Sequence, residues 1–188
     1  CFKKDILNLV YLSRHYGLNE VADFWQSTII INSWQQKRIY QLIVEKLFGN
    51  LADKKIAILG FAFKENTNDT RESPSIEICK NLLNEGAYLN IHDYKVAEKT
   101  INRDLSTEKN DNNSFSWSYE EDVYNALKDV HAVVFMTEWK SYKELDWKRI
   151  LSNVKKPFWV FDTRAILNPK EFDSLDINFW QLGYGNNK

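Results

Sequence analysis

The chain is poor in cross-linking and punctuating residues: its 188 positions hold two Cys, one Met, three Pro and six Gly. Cys1 and Cys79 are too few for a disulfide framework, and with no His or Cys at CxxC-like spacing they do not suggest zinc or another metal site. A reducing, cytoplasmic setting is the expectation. No run of about 18 uninterrupted apolar residues exists, so no membrane span is expected. Charge of one sign is also lacking: 25 Lys and Arg stand against 26 Asp and Glu, a formal net charge of -1, and no global field draws the chain toward nucleic acid or anionic lipid. Internal repeats and low-complexity tracts are absent. The opening Cys1-Phe2-Lys3-Lys4-Asp5 has neither Met nor a hydrophobic signal segment, and reads as cut from something longer.

What is present is core-forming. With 44% hydrophobic and 27% charged residues, collagen-like and wholly disordered readings fall away. Seven Trp, nine Tyr and eleven Phe point to a dense core, with the tryptophans there and at interfaces rather than on a base-stacking platform. The length suits one compact domain, or one with a helical annex.

Residues 1–52 contain Gly17 and Gly49 and no Pro, and their apolar positions recur at helical spacing: Ile6, Leu7, Leu9, Val10, then Val21, Phe24, Trp25, Ile29. Two helices are expected. Asp5 is placed to cap the first, Arg14 and His15 to fill its last turn and Gly17 to end it; Asn19 opens the second. The second pattern runs to about Phe48, a rod of roughly 45 Å at ~1.5 Å per residue. Its apolar residues lie on several faces, which implies burial on more than one side and a partner.

From Asp53 the pattern alternates. Strands are expected at 55–60, 88–92, 131–136, 158–161 and 177–182, and helices at 75–86, 119–130, 142–154 and 167–175. Such alternation means βαβ units: an α/β, Rossmann-like, doubly wound parallel sheet over about 53–188, preceded by the helical segment 1–52. Residues 103–118, rich in Asn, Asp, Ser and Lys, break the rhythm and are expected to form a mobile surface insertion.

In an open parallel sheet the ligand lies beyond the carboxyl ends of the strands. Those positions hold the run Gly60 to Ser73, then Asp93, then Thr137-Glu138-Trp139, then Asp162-Thr163-Arg164. Lys64, Arg71 and Arg164 suit a phosphate-bearing ligand. Equally, Lys64 and Arg71 could be solvated loop charges and Arg164 a structural partner of Asp162. A dinucleotide fingerprint needs glycines at 60, 62 and 65, where the chain has Gly60, Ala62 and Glu65. Cys1 near Lys3, Lys4 and Asp5 combines a thiol, cations that lower its pKa and a carboxylate; on spacing alone it is either a nucleophile or a structural residue. Cys79, among Ile76, Ile78 and Leu82, is a core residue.

These residues carry a resemblance. Cys1-Phe-Lys-Lys-Asp5 resembles the end of the catalytic motif of UDP-glucose 6-dehydrogenases. Ile58-Leu-Gly-Phe-Ala-Phe-Lys64 with Asn66 to Ser73 resembles the first loop of their UDP-binding domain, and Phe161-Asp-Thr-Arg164 resembles a third signature. The likeness covers almost the whole chain. Asn68 and Thr163 stand where the family often has Gly.

The resemblance implies an NAD-dependent oxidation of UDP-glucose to UDP-glucuronate with two NAD, through a thiohemiacetal and a thioester on Cys1. Lys4 would stabilise the C6 oxygen and Asp5 would position water. Phe63, Lys64 and Arg164 would bind substrate, and Arg71 and Lys4 would contact NAD, which an N-terminal domain outside these residues would mainly hold. The 19–48 helix would build a homo-oligomer, and the fragment alone would be inactive. A dehydrogenase for UDP-N-acetylmannosamine or GDP-mannose, or a non-catalytic nucleotide-sugar-binding or oligomerisation module, are the alternatives.

Overall fold

A computed structural model describes residues 2–106 and 117–185. The chain divides into two compact units, residues 1–42 and 43–188.

The first unit holds α1 (Phe2–His15) and most of α2 (Asn19–Lys46). Asp5, expected as a cap, lies inside the first turn of α1, where its charge still meets the positive end of the helix dipole. Gly17 ends α1 with φ +74°, donating its N–H to the Arg14 carbonyl, while Leu18 donates to Ser13, a Schellman closure. Ile6, Val10, Ala22, Ile29 and Ile39 are buried. The expectation that α2 is covered on several sides is not met within the chain, since Phe24, Ile30, Ile31 and Trp34 are each about 60% exposed, at 64, 61, 63 and 58%. A cleft of about 460 Å³ lies among Leu7, Val10, Tyr11, Arg14, His15 and Gln26.

The second unit takes in the last turn of α2, with Ile43 and Leu47 buried, and a six-stranded sheet. Its elements are β1 (Lys55–Leu59), α3 (Pro74–Asn84), β2 (Tyr88–His92), α4 (Glu98–Leu105), β3 (Trp117–Tyr119), α5 (Val123–Ala126), β4 (Ala132–Phe135), α6 (Trp147–Leu151), β5 (Trp159–Asp162) and β6 (Asn178–Gln181). Strand order is β3-β2-β1-β4-β5-β6, every neighbour parallel. The chain moves from β1 outward to β3, then returns to the other side of β1 as β4, so strand order reverses between β1 and β4.

Strands buried on both faces explain the continuous apolar runs. Ala57, Leu59, Val133, Phe135 and Val160 join Ala126, Tyr142, Ile150 and Phe158 in one core layer. Alternate positions, Ile56, Ile58, Val134 and Phe161, are equally buried and face the opposite side of the sheet. Cys79 is fully buried in α3, and burial pushes its thiol pKa up, as befits a packing residue. Among the described residues no helix is long and apolar enough to cross a membrane.

Three sequence expectations give way. The helix expected over 119–130 is one turn: Tyr119 pairs with Ile91 in β3, and Asp122 accepts N–H bonds from Tyr124 and Asn125, starting α5 late. The helix expected over 142–154 is a 3₁₀ turn, Lys140–Glu144, followed by α6, because Asp146 caps Lys148 and Arg149 and begins a fresh helix. The helix over 167–175 reduces to the 3₁₀ turn Pro169–Glu171. Of the insertion at 103–118, residues 103–105 end α4 and 117–118 begin β3, while 107–116 lie outside the described residues.

Candidate functional site

The strand order reverses between β1 and β4, the place where open parallel sheets take a ligand beyond the carboxyl ends of their strands, and the sequence there fixes how the loops are built. Gly60 follows β1 with φ +97°, and a Cβ placed on it would stand 2.4 Å from the Thr137 Cβ that follows β4. Only glycine fits both the backbone angle and the close approach. Thr137 in turn donates its hydroxyl to the Ala62 carbonyl at 2.6 Å.

The loop after β1 is tied down along its length. Ser73 donates to the Phe61 carbonyl at 2.8 Å and accepts from the Ser75 N–H, capping α3, while Ser75 donates to the Gly60 carbonyl. Phe63 donates its N–H to the Asp69 carbonyl, folding the loop back on itself. Asp93, one residue beyond β2 and 3% exposed, accepts at Oδ2 from the Phe61 N–H (2.7 Å), the Ala62 N–H (3.1 Å) and the Trp139 indole (3.2 Å). Its Oδ1 accepts from the Lys95 and Val96 N–H groups. Behind it, Tyr142 Oη lies 2.9 Å from His92 Nδ1; burial lowers the His92 pKa and raises that of Tyr142, so both stay neutral.

Arg164 is brought to this loop. Its Nε donates to Glu138 Oε2 at 2.6 Å, its Nη2 pairs with the same oxygen, and Nη2 also reaches the Phe63 carbonyl at 3.5 Å. The alternative reading, Arg164 paired with Asp162, is not what forms: the Asp162 carboxylate accepts backbone N–H bonds from Arg164 and Leu167 and a bond from the Gln181 amide. Lys64 is exposed with its Nζ 5.1 Å from the Phe63 ring centroid. Phe63 therefore lies beside both Lys64 and Arg164.

Arg71 belongs to the same loop and is 86% exposed in its side chain, chelated by Asp69 through Nε and Nη2. Those bonds hold the Asp69 carboxyl down at about 2. Lys4 and Asp5 lie exposed in the first unit, on α1, and Cys1 lies outside the described residues. Sequence reasoning named the places of Asp93 and Glu138 without giving either a role. Their signal was position: Asp93 directly follows β2, Glu138 lies just beyond β4 at the reversal, and Glu138 is the acid that pairs with Arg164.

The loop after β1 does not fit a dinucleotide's pyrophosphate. The Phe61 and Ala62 amides that would approach a phosphate are already bonded to Asp93, and the positions of the second and third fingerprint glycines are Ala62 and Glu65. A pocket of about 190 Å³ among Tyr124, Lys128, Arg149 and Asn153 contains none of the strand-end residues.

Residues 57–169 match the UDP-binding domain of the UDP-glucose/GDP-mannose dehydrogenase family. UDP-glucose 6-dehydrogenase 4 of Arabidopsis thaliana is 42% identical over 200 aligned positions, covering 97% of this chain and 41% of its own length. UDP-glucose 6-dehydrogenase of Drosophila melanogaster is 43% identical over 187, covering 97% and 39%. A solved UDP-glucose dehydrogenase from the archaeon Pyrobaculum islandicum superposes with a TM-score of 0.66 at 31% identity, over 78% of this chain and 31% of that one. The chain thus spans about two fifths of the length of the curated relatives it matches. On the matched domain, the strand order and the loops built at its reversal, this chain belongs to the UDP-glucose/GDP-mannose dehydrogenase family.

Proposed function

We propose that this chain is the C-terminal part of an NAD-dependent UDP-glucose 6-dehydrogenase, which oxidises UDP-glucose to UDP-glucuronate with two NAD. The observation that carries the reading is identity above 40% with UDP-glucose 6-dehydrogenases along 97% of the chain. NAD supplies the hydride acceptor for both oxidations, and since the loop after β1 does not fit a pyrophosphate, we assign its binding mainly to sequence beyond these residues.

The chain's own residues divide the remaining work. Phe63, Lys64 and Arg164 bind the sugar nucleotide: Lys64 is an exposed point charge and Arg164 a fork oriented by Glu138, suited to a diphosphate. Cys1 adds to the C6 aldehyde as a thiolate, and the thioester formed by the second oxidation is released by water as the acid. Lys4 stabilises charge on the C6 oxygen, and Asp5 positions the water. Arg71 and Lys4 contact NAD. The exposed apolar side chains of α2, Ile30, Ile31 and Trp34, meet a second copy in a homo-oligomer. This chain by itself is inactive, and the whole protein works in the cytoplasm.

The test is an assay of the whole protein with UDP-glucose and NAD beside its Cys1→Ser variant. Two NADH per sugar, lost or stalled in the variant, is the expected result; full turnover by the variant would falsify the thioester role. Comparison of UDP-glucose with UDP-N-acetylmannosamine and GDP-mannose as substrates separates this reading from its nearest alternatives.

A further inference from the structure

In an open parallel sheet that binds a dinucleotide, an acid near the end of the second strand takes a ribose hydroxyl. Asp93 occupies that place, immediately after β2, but its carboxylate has no capacity left. A carboxylate offers about four lone-pair sites, and Asp93 meets five donors: the N–H groups of Phe61, Ala62, Lys95 and Val96 and the Trp139 indole. It is 3% exposed, and no cation is among those bonded partners.

The geometry points to Asp93 as a positioning residue for sugar-nucleotide binding, a role that rests on the function proposed above. Oδ2 gathers two loops at one atom. Phe61 and Ala62 lead directly into Phe63 and Lys64, and Trp139 adjoins Glu138, which orients Arg164. The Phe63 carbonyl and Arg164 Nη2 then meet at 3.5 Å, so both sides of the binding site take their spacing from one buried carboxylate. What a dinucleotide domain would use to read a ribose has been turned inward to fix the loop that reads another ligand.

The test uses the whole protein that carries this chain, with UDP as the probe and UDP-glucose as substrate. Asp93→Asn puts an amide N–H₂ against N–H donors on one side or the other. We expect UDP affinity to fall about tenfold, and the KM for UDP-glucose to rise by a similar factor while kcat at saturation changes less than about threefold. The Trp139 indole N–H resonance should move upfield as its acceptor is lost. Asp122→Ala, which removes the acceptor that caps α5, serves as control: it lowers the melting temperature without moving KM. An unchanged KM in D93N, with the indole resonance shifted, overturns the positioning role and leaves the function intact. A wild-type protein that neither binds UDP nor turns over UDP-glucose overturns the function and this role with it. If D93N does not fold, Trp139→Phe removes one of the five donors while keeping an aromatic ring; KM raised about threefold supports the role, and an unmoved KM overturns it.

Discussion

The two units of this chain bury different chemistry. In the α/β unit most buried polar side chains gather at the carboxyl ends of the strands, Thr70 and Ser73 after β1, His92 and Asp93 at β2, Thr137 after β4, Asp162 and Thr163 at β5 and Gln181 at β6, while Ser75 lies in the first turn of α3 and Asn90 sits inside β2. Among the described residues no buried side-chain nitrogen or oxygen lacks a partner. The helical unit has no buried polar side chain among its described residues, and leaves Tyr11, Phe24, Ile30, Ile31 and Trp34 more than half exposed. One region is finished internally, with its polar groups spent on holding loops; the other presents apolar surface that a packed interior would have consumed. Substitutions should therefore act through folding and ligand in the first case, and through association in the second.

Gly60→Ala should be the harshest of these changes. The new Cβ meets Thr137 Cβ, Oγ1 and backbone N at 2.4–2.6 Å, and φ is +97°, so the variant should lose about 3–4 kcal/mol in urea unfolding and most UDP affinity. Stability within about 1 kcal/mol of wild type would mean that the β1 and β4 loops are not pressed together. Next is Asp162→Ala, which strands the N–H groups of Arg164 and Leu167 and the Gln181 amide at a fully buried position, for about 3 kcal/mol. A smaller loss accompanied by new ordered water would show that the carboxyl edge is less finished than its bonds imply.

How much of this was legible beforehand follows the length and uniformity of each segment. β1, β2, β4, β5 and β6 lay within a residue or two of their expected places, because runs such as Ile56-Ala-Ile-Leu59 and Ala132-Val-Val-Phe135 are apolar on both faces. β3 and α4 were missed: three residues with intermediate burial make one, and only Ile101 and Leu105 are buried in the other. The long helices expected at 119–130 and 142–154 failed at single acids, Asp122 and Asp146, whose side chains compete for backbone N–H groups. At the site, the cations could be read from strand-end position, but their partners could not. Arg164 chooses Glu138, 26 positions away, over Asp162 two positions before it, because Asp162 points at backbone donors. The five donors of Asp93 come from three separate loops, a convergence no local pattern carries.

The helical unit supplies the converse case. Replacing Ile31 and Trp34 together by Ser should leave folding stability within about 0.5 kcal/mol, since both side chains are largely exposed in the chain. The proposed homo-oligomer should dissociate to smaller species in sedimentation velocity. An unchanged sedimentation coefficient would place the assembly surface elsewhere; a large loss of stability without dissociation would show that these side chains are covered within one chain.

Arg71→Ala should have the smallest effect and discriminates most finely, because it separates a charge kept for a ligand from one built into the fold. Asp69 is held at about 2, below its ordinary 3.8, first by the side-chain bonds from Arg71 and then by the Arg71 backbone N–H, which the variant keeps. A carboxylate whose folded-state pKa is depressed contributes stability that is present above its unfolded pKa and is lost as pH falls through the folded value. The wild type should therefore lose this contribution between about pH 4 and pH 2, and the variant, with Asp69 moved back toward 3.8, should lack most of it throughout. Because the 86%-exposed guanidinium is screened by solvent, that contribution is small, and at neutral pH the urea midpoint should fall only slightly. Carboxyl NMR titration of Asp69 decides the matter: a pKa still near 2 in the variant would assign the depression to the backbone turn, and Arg71 would then be free of any structural duty and available wholly to a ligand.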